Sequence, residues 1–124
     1  MRIRSGCPGA QPGQFTTPHS VWLDKDDRVL VCDRENNRIQ IFSTEGDLLG
    51  GWADLFHPMD IFIDAQDKVY ITDQIPRLSV YTSEGVLVAR CLHRAHSISG
   101  DSNGNLYTAW PSPAGNPVTK LIKM

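Results

Sequence analysis

Two histidines and a methionine occupy one repeated position in this sequence: His19, Met59 and His96. Neutral imidazoles are common ligands of zinc, and a zinc ion that keeps an open position can bind water or substrate there. A thioether is a softer ligand, which suits copper(I) better than zinc. The position therefore predicts one of two arrangements. Either His19 and His96 hold a divalent metal with Met59 alongside, or the histidines only hydrogen-bond to the backbone at the start of a strand.

The repeated position belongs to a unit that recurs about every forty residues along the chain. Its first strand aligns in three places, at residues 18–24, 58–64 and 95–101. A polar turn and two further strands follow each time, and Glu45-Gly46 and Glu84-Gly85 mark an equivalent turn before a fourth strand. Several short strands in a unit of this length are typical of β-propeller blades. No helical period persists, so we predict an all-β chain whose repeated position lies at one mouth of a central channel.

We expect one domain with three blades, at residues 17–52, 58–91 and 95–124. Residues 5–18 are rich in Gly, Pro, Ser and Thr, which predicts a loop. Residues 1–4 alternate apolar and charged side chains and predict a spare strand, whereas the third unit lacks a fourth strand. Three blades cannot close a ring. We therefore expect a homodimer with six blades, in which each N-terminal strand completes blade 3 of the other chain and the open sheet edges disappear.

Length and composition exclude several classes of protein. The 124 residues suffice for one hydrophobic core. A formal net charge of −2, without runs of like charge, argues against nucleic-acid and anionic-membrane partners. No segment approaches the ~18–20 consecutive apolar residues of a membrane span. The first residues lack the apolar region of a secretory signal, so we expect a cytoplasmic protein.

The three cysteines, Cys7, Cys32 and Cys91, form neither a CxxC pair nor an even disulfide framework. Cys32 stands beside Val31 in a predicted strand and is expected to be buried, as free cysteines often are. Cys91 occupies the repeat position of Trp52 and is expected to be buried in the same way. Cys7 lies in the predicted loop and is expected to be exposed.

Residues 33–42, Asp-Arg-Glu-Asn-Asn-Arg-Ile-Gln-Ile-Phe, resemble the NHL repeat together with the Pro-Gly-Gln-Phe of 12–15 and the Pro-His of 18–19. The resemblance extends from about residue 12 to residue 123 and is strongest in the first unit. Within that family the sequence is similar to the peptidyl-α-hydroxyglycine α-amidating lyase group of six-bladed propellers. The resemblance implies a six-bladed ring, although those lyases carry all their blades in one chain and this sequence carries three.

The same resemblance implies roles for two residues. In the lyase group, three histidines from alternate blades hold a zinc ion, and His19 matches one of them. Arg34 matches a substrate-binding arginine, and a guanidinium can hold a carboxylate through two parallel hydrogen bonds. In the expected dimer, each set of alternate blades combines His19, His96 and one Met59, so neither set contains three histidines. No tyrosine matches the position of the catalytic tyrosine, and the catalytic residues stay unassigned.

Other repeated polar residues are interpreted as structural. Arg38 and Arg77 recur with Asp33 and Asp73 across the second turn of a blade, where each arginine can hold the acid of its loop. The acids that begin the first turns are expected to form Asx-type turns. These acids are Asp24, Asp64 and Asp101.

Three functional hypotheses remain open. The first is a half-propeller whose dimer forms a scaffold that binds a small ligand or peptide at a histidine-lined channel mouth. The second is a metal-dependent lyase related to the amidating enzymes, which acts through His19, His96 and Arg34. The third is a stable gene fragment without a selected function. The incomplete set of metal ligands and the missing tyrosine favour the first and third hypotheses over the lyase. The resemblance in fold does not restore the lyase hypothesis, because a shared fold does not by itself carry a function.

Overall fold

The computed structural model describes residues 6–113, 115 and 117–124. These residues form an all-β chain of thirteen short strands, with one 3₁₀ turn at Arg34–Asn36. The strands are β1 (Cys7–Pro8), β2 (Gln14–Phe15), β3 (Pro18–Leu23), β4 (Val29–Asp33), β5 (Arg38–Phe42), β6 (Leu48–Trp52), β7 (Pro58–Ile63), β8 (Val69–Asp73), β9 (Arg77–Tyr81), β10 (Leu87–Leu92), β11 (Ser97–Gly100), β12 (Leu106–Ala109) and β13 (Val118–Leu121). None of the described residues belongs to a helix long and apolar enough to cross a membrane.

Three antiparallel sheets follow one another along the chain. The first contains β3, β4, β5 and β6 in that order, the second contains β7, β8, β9 and β10, and the third contains β11, β12 and β13. Within a sheet each strand pairs with its neighbour in the chain, because short polar turns reverse the chain direction. Residues 1–4, which are predicted to form a further strand, lie outside the described residues.

The acids that begin the first turn of each sheet form Asx turns, as predicted. Asp24, Asp64 and Asp101 each use one carboxylate oxygen to accept hydrogen bonds from the backbone N–H groups two and four residues later, at 2.8–3.0 Å. The residue three positions after each acid has a φ between 56° and 82°, a left-handed conformation that Asp and Gly tolerate. The turns are therefore determined by local chemistry.

The predicted pairing of an arginine with its loop acid is present in the first two sheets. Arg38 Nε donates to Asp33 Oδ2 at 2.7 Å, and Arg77 Nε donates to Asp73 Oδ2 at 3.0 Å. Both acids are buried, with exposures of 0% and 1%. Because a buried carboxylate without a partner is strongly destabilising, each arginine holds the end of a strand against the turn that follows it.

The main hydrophobic core lies between the first and second sheets. Alternate residues of a strand point to the same face of its sheet. The two facing surfaces and the loop between them supply the buried side chains Leu30, Cys32, Ile39, Ile41, Leu55, Ile61, Val69, Ile71 and Tyr81. At the edge of this core Trp52 of β6 stacks on Tyr81 of β9, with ring centroids 5.5 Å apart.

The loop before the first sheet packs on the opposite face of that sheet. Phe15 contacts Phe42 with ring centroids 5.5 Å apart, and Gln40 Nε2 donates to the carbonyl oxygen of Gln14 at 2.7 Å. A guanidinium nitrogen of Arg38 donates to the same carbonyl at 2.9 Å. These contacts order a segment whose composition predicts only a loop, and within it β1 and β2 pair in parallel over two residues.

The cysteines differ from expectation at one position. Cys7 is exposed and Cys32 is buried, which confirms both predictions. The prediction that Cys91 is buried is wrong, because Cys91 lies on β10, a largely exposed edge strand of the second sheet. The equivalent Trp52 is large enough to reach Tyr81 of the next sheet. The small thiol of Cys91 has no comparable reach.

Candidate functional site

The three residues of the repeated position lie side by side where the first strands of the sheets begin. His19 Nδ1 is hydrogen-bonded to the carbonyl oxygen of Met59 at 2.7 Å. The rings of His19 and His96 meet edge to face, with centroids 4.9 Å apart and an interplanar angle of 68°. His19 is exposed, whereas Met59 is only 2% exposed. The arrangement places two imidazoles beside a buried thioether.

Arg34 joins the same cluster from the 3₁₀ turn after β4. Its Nε donates to the sulfur of Met59 at 3.4 Å, and its Nη1 pairs with the carboxylate of Glu35. The Arg34 side chain is 23% exposed, so it is partly enclosed and still open to a ligand. All four site residues of the sequence analysis therefore lie in one region of the structure.

The turn that carries Arg34 is held by the buried carboxylate of Asp33. That carboxylate accepts hydrogen bonds from the backbone of Thr16 at 2.9 Å and from the side-chain amide of Asn36 at 2.9 and 3.1 Å. Asn37 ends the 3₁₀ turn in the left-handed conformation, with a φ of 56°, which Asn adopts more readily than most residues. The local sequence thus fixes the backbone from which Arg34 projects.

The described residues do not fit a zinc ion at this position. Among them no group of three or more His, Cys, Asp or Glu side chains could hold a metal. One nitrogen of His19 is already used by the carbonyl of Met59, and the sulfur of Met59 contacts Arg34. Catalytic zinc usually has three protein ligands, and two imidazoles do not reach that number. For His19, the observed contact is the backbone hydrogen bond that the sequence analysis gave as the alternative.

Asp60, which sequence reasoning missed, connects the first strands of all three sheets. Its Oδ1 accepts a hydrogen bond from Ser20 Oγ at 2.6 Å, and its Oδ2 accepts one from the backbone N–H of Ile98 at 2.9 Å. The available signal was the repeat itself, because Asp60 follows Met59 in the position that Ser20 holds in the first unit.

Burial, with a smaller contribution from Asp60, raises the pKa of the Cys32 thiol well above its usual value, so this thiol is unreactive.

His57 also lies beside the cluster and was not identified from the sequence. Its Nε2 is 3.5 Å from Glu35 Oε2, and its Nδ1 is 2.9 Å from Gln74 Oε1. The ring stacks on Phe56 with centroids 4.3 Å apart, and the backbone N–H of His57 donates to Asn37 Oδ1 at 2.9 Å. The repeat does point to Gln74, the hydrogen-bond partner of His57, because Gln74 occupies in the second unit the place that Arg34 holds in the first.

We call this cluster the histidine patch; its members are His19, Arg34, Glu35, His57, Met59 and His96. It contains one guanidinium, three imidazoles and one carboxylate. Of these groups the guanidinium carries a permanent positive charge. Nδ1 of His19 and Nδ1 of His57 already donate within the fold, and the His96 ring can donate a hydrogen bond outward. Asp60 lies next to the patch, but both of its oxygens accept hydrogen bonds within the fold. The chemistry of the patch favours an anionic group, such as a carboxylate, over a cation.

Comparison with known families gives a match over the first sheet. The NHL repeat family matches residues 15–42, a segment that includes His19 and Arg34. This segment runs from the aromatic residue at the end of β2 to the last residue of β5.

Three curated relatives illustrate the similarity in sequence. Human NHL repeat-containing protein 3 is 39% identical over 84 residues, which is 63% of this chain and 24% of the relative. The human E3 ubiquitin-protein ligase TRIM32 is 31% identical over 104 residues, which is 69% of this chain and 16% of the relative. Rat peptidylglycine alpha-amidating monooxygenase is 53% identical over 36 residues, which is 28% of this chain and 4% of the relative. The chain thus spans a quarter or less of the length of each.

Solved structures with the same fold have little sequence similarity to this chain. Hydrazine synthase from Kuenenia stuttgartiensis superimposes with a TM-score of 0.72 at 12% identity and covers 86% of this chain and 33% of its own. A structure of streptogramin B lyase has a TM-score of 0.64 at 12% identity and covers 83% of this chain and 36% of its own. These neighbours are propeller-like and support the fold alone.

Proposed function

Because this chain contains an NHL repeat and is related in sequence to NHL-repeat proteins, we propose that it is a propeller-type scaffold that binds a peptide or small molecule at the histidine patch. The observation that carries the proposal is the convergence of His19, Arg34, Met59 and His96 at one end of the first strands. Arg34 binds a carboxylate of the ligand, and His96 donates a further hydrogen bond. His19 Nε2 can donate one only when the ring is protonated, because its Nδ1 already donates to the carbonyl oxygen of Met59. The buried thioether of Met59 contacts Arg34 at the base of this surface.

We further propose that the three sheets act as blades and that a second copy of the chain completes a six-bladed ring. The outward face of the first sheet supports this arrangement. Val21 on that face is 58% exposed, whereas its repeat equivalent in the second sheet, Ile61, is 0% exposed under the first sheet. The outward face also borders a groove of about 700 Å³ that includes Phe15, Val31 and Phe42. The surface around Ile61 is covered by the first sheet, whereas the equivalent surface around Val21 is open and can take a sheet of a second copy.

The outward face of the third sheet is the proposed complement. Tyr107 on that face is 36% exposed, and Val118 on β13 is 62% exposed. In the second sheet the equivalent surface is covered by the third sheet, and Thr72 there is 0% exposed. Joining the first sheet of one copy to the third sheet of another buries both apolar faces and closes the ring through two equivalent contacts.

Binding of a carboxylate tests the proposed function directly. The probes are N-acetyl-Phe-Gly with a free carboxylate and the same compound as its amide, measured by isothermal titration calorimetry and by NMR shifts of the patch. We expect the acid to bind, the amide to bind more weakly, and Arg34→Gln to remove the difference. Lys25→Gln at the opposite end of the strands removes the same charge and should change nothing. Equal binding of acid and amide by the unsubstituted protein would contradict the proposal.

A metal-dependent lyase is the second candidate, favoured by the 53% identity with a segment of the rat amidating enzyme. The donor set in the described residues does not fit a catalytic zinc, so this candidate ranks below the binding scaffold. A fragment without a selected function is the third candidate, and failure of every probe to bind the patch would favour it.

A further inference from the structure

Glu35 lies between two side chains that can carry positive charge, Arg34 and His57. We propose that Glu35 is a built-in counterion of Arg34, which the carboxylate of a ligand displaces toward His57. The proposal rests on the carboxylate binding proposed above. It identifies Glu35 and His57 as residues that set the affinity and the specificity of the patch for anions.

The two oxygens of Glu35 contact different partners. Oε1 pairs with Arg34 Nη1, while Oε2 is 3.5 Å from Nε2 of His57. Among the described residues, the other hydrogen-bond contact of the Arg34 guanidinium is the uncharged sulfur of Met59, so Glu35 is the charged group that pairs with it. A ligand carboxylate that forms two parallel hydrogen bonds with Nη1 and Nη2 of Arg34 therefore competes with Glu35 for Nη1.

The exposure of the three side chains makes this displacement feasible. Arg34 is 23% exposed, Glu35 is 35% exposed and His57 is 25% exposed. Ion pairs with this much solvent contact are weak, because water screens the charges and ordering the side chains costs entropy. Glu35 can thus exchange partners without breaking a buried contact.

His57 is held in place to receive the displaced carboxylate. Its Nδ1 donates to Gln74 Oε1 at 2.9 Å, its ring stacks on Phe56, and its backbone N–H donates to Asn37 Oδ1. With Nδ1 committed to Gln74, Nε2 is the nitrogen that faces Glu35, and it binds the carboxylate when it is protonated. His57 and Gln74 belong to the loop before β7 and the turn after β8, whereas Glu35 belongs to the turn after β4, so the exchange crosses from the second sheet to the first.

Substitution of Glu35 tests the competition. With N-acetyl-Phe-Gly as the probe, Glu35→Gln should bind the acid about two- to fivefold more tightly, since one weak ion pair no longer competes. The amide of the probe should bind as it does to the unsubstituted protein. Glu84→Gln, which makes the same change of charge in a turn at the opposite end of the strands, should leave both affinities unchanged.

Substitution of His57 tests its part in the exchange. In the background that keeps Glu35, His57→Gln should weaken binding of the acid, because the displaced Glu35 loses its second partner. In the Glu35→Gln background the same change should have no effect, so the two substitutions are coupled in a double-mutant cycle. Circular dichroism and the NMR spectrum of each free variant establish that the fold is retained.

Each unfavourable outcome has a separate meaning. Loss of acid binding in Arg34→Gln, with unchanged affinity in Glu35→Gln, would overturn the counterion proposal and leave the proposed function standing. Equal gains in Glu35→Gln and Glu84→Gln would overturn it as well, since net charge alone would then explain the effect. Independent effects of Glu35 and His57 would refute the exchange between them. No binding of acid by the unsubstituted protein or by Glu35→Gln would refute the carboxylate site itself.

Discussion

The hydrogen bonds of Asp60 connect all three sheets. Its carboxylate accepts one hydrogen bond from the first sheet and one from the third, while its backbone belongs to the second. Hydrogen bonds to a charged acceptor contribute more than neutral ones, and here they join elements that the turns do not connect. Met59 of the histidine patch directly precedes this residue.

Asp60→Ala should reduce the free energy of unfolding by roughly 2–3 kcal/mol, since its half-buried carboxylate no longer accepts the two hydrogen bonds from the other sheets. Urea denaturation followed by tryptophan fluorescence measures the change. Asp47→Ala, in an exposed turn, is the matched control and should change stability by less than about 0.5 kcal/mol. Equal effects of the two substitutions would show that Asp60 does not join the sheets.

Asp101 should stay ionised in strongly acidic solution. Hydrogen bonds from the side chain and backbone of Asn105, with smaller contributions from Tyr107 and Asn103, lower the pKa of Asp101 from 3.8 to about 2. Because the folded-state pKa is depressed, the stabilisation is complete above the unfolded-state pKa and is lost as the pH falls through about 2. Carboxyl carbon shifts measured by NMR report this titration. In Asn105→Ala the pKa should rise toward 3.8, and an unchanged midpoint would contradict the assignment.

At the scale of elements, the first and second sheets have the same strand order and different surroundings. The first sheet leaves Val21 exposed on its outward face, and the second buries the equivalent Ile61 against its neighbour. Repetition in sequence thus produces repeated surfaces, and covering such a surface with another sheet stabilises it. The loop with Phe15 covers only part of the outward face.

Val21→Lys should dissociate the proposed dimer without unfolding the sheet, because it places a charge in the contact between copies. Light scattering at micromolar concentration should give a dimer for the unsubstituted chain and a monomer for the variant. Val88→Lys on the edge strand β10, where Val88 is 55% exposed, is the matched control and should remain dimeric. Deletion of residues 1–4 should also weaken the dimer. A stable monomer of the unsubstituted chain would refute the assembly.

The whole molecule lacks, among its described residues, the full set of groups that an amidating lyase would use. His19 and His96 offer two imidazoles, Arg34 offers a cation for a carboxylate, and no tyrosine matches the catalytic position implied by the resemblance. A metal ion would supply Lewis-acid chemistry in such a lyase. In the described part of the chain, no three His, Cys, Asp or Glu side chains are placed so that they could hold it together.

Turnover of a peptidyl-α-hydroxyglycine should therefore be very low or absent. Loss of a positioned general base alone costs ~10²–10⁴ in rate. Release of glyoxylate from the substrate, with zinc added, measures the activity. Any residual activity should disappear in His19→Ala and decrease in Arg34→Ala. Glyoxylate release at ordinary enzyme rates would overturn this expectation and indicate a base that the repeat does not reveal.

The sequence by itself determined the features that depend on neighbours in the chain. Asp24 and its equivalents form their turns through backbone groups two and four residues away, and Asp33 pairs with Arg38 across one turn. The alternation of apolar residues and the period of the repeat were sufficient to predict an all-β chain with propeller-like neighbours. Such contacts need no knowledge of how one sheet packs on the next.

Only the tertiary structure decided the contacts between residues that lie far apart in the chain. The bond from His19 to the carbonyl of Met59, the approach of Glu35 to His57 and the bridging by Asp60 all cross from one sheet to another. Their geometry depends on the angle and separation of packed sheets, which arise from many buried side chains acting together. The repeat could align His19 with Met59, but the packing of the sheets determined that Met59 supports Arg34 and does not complete a metal site.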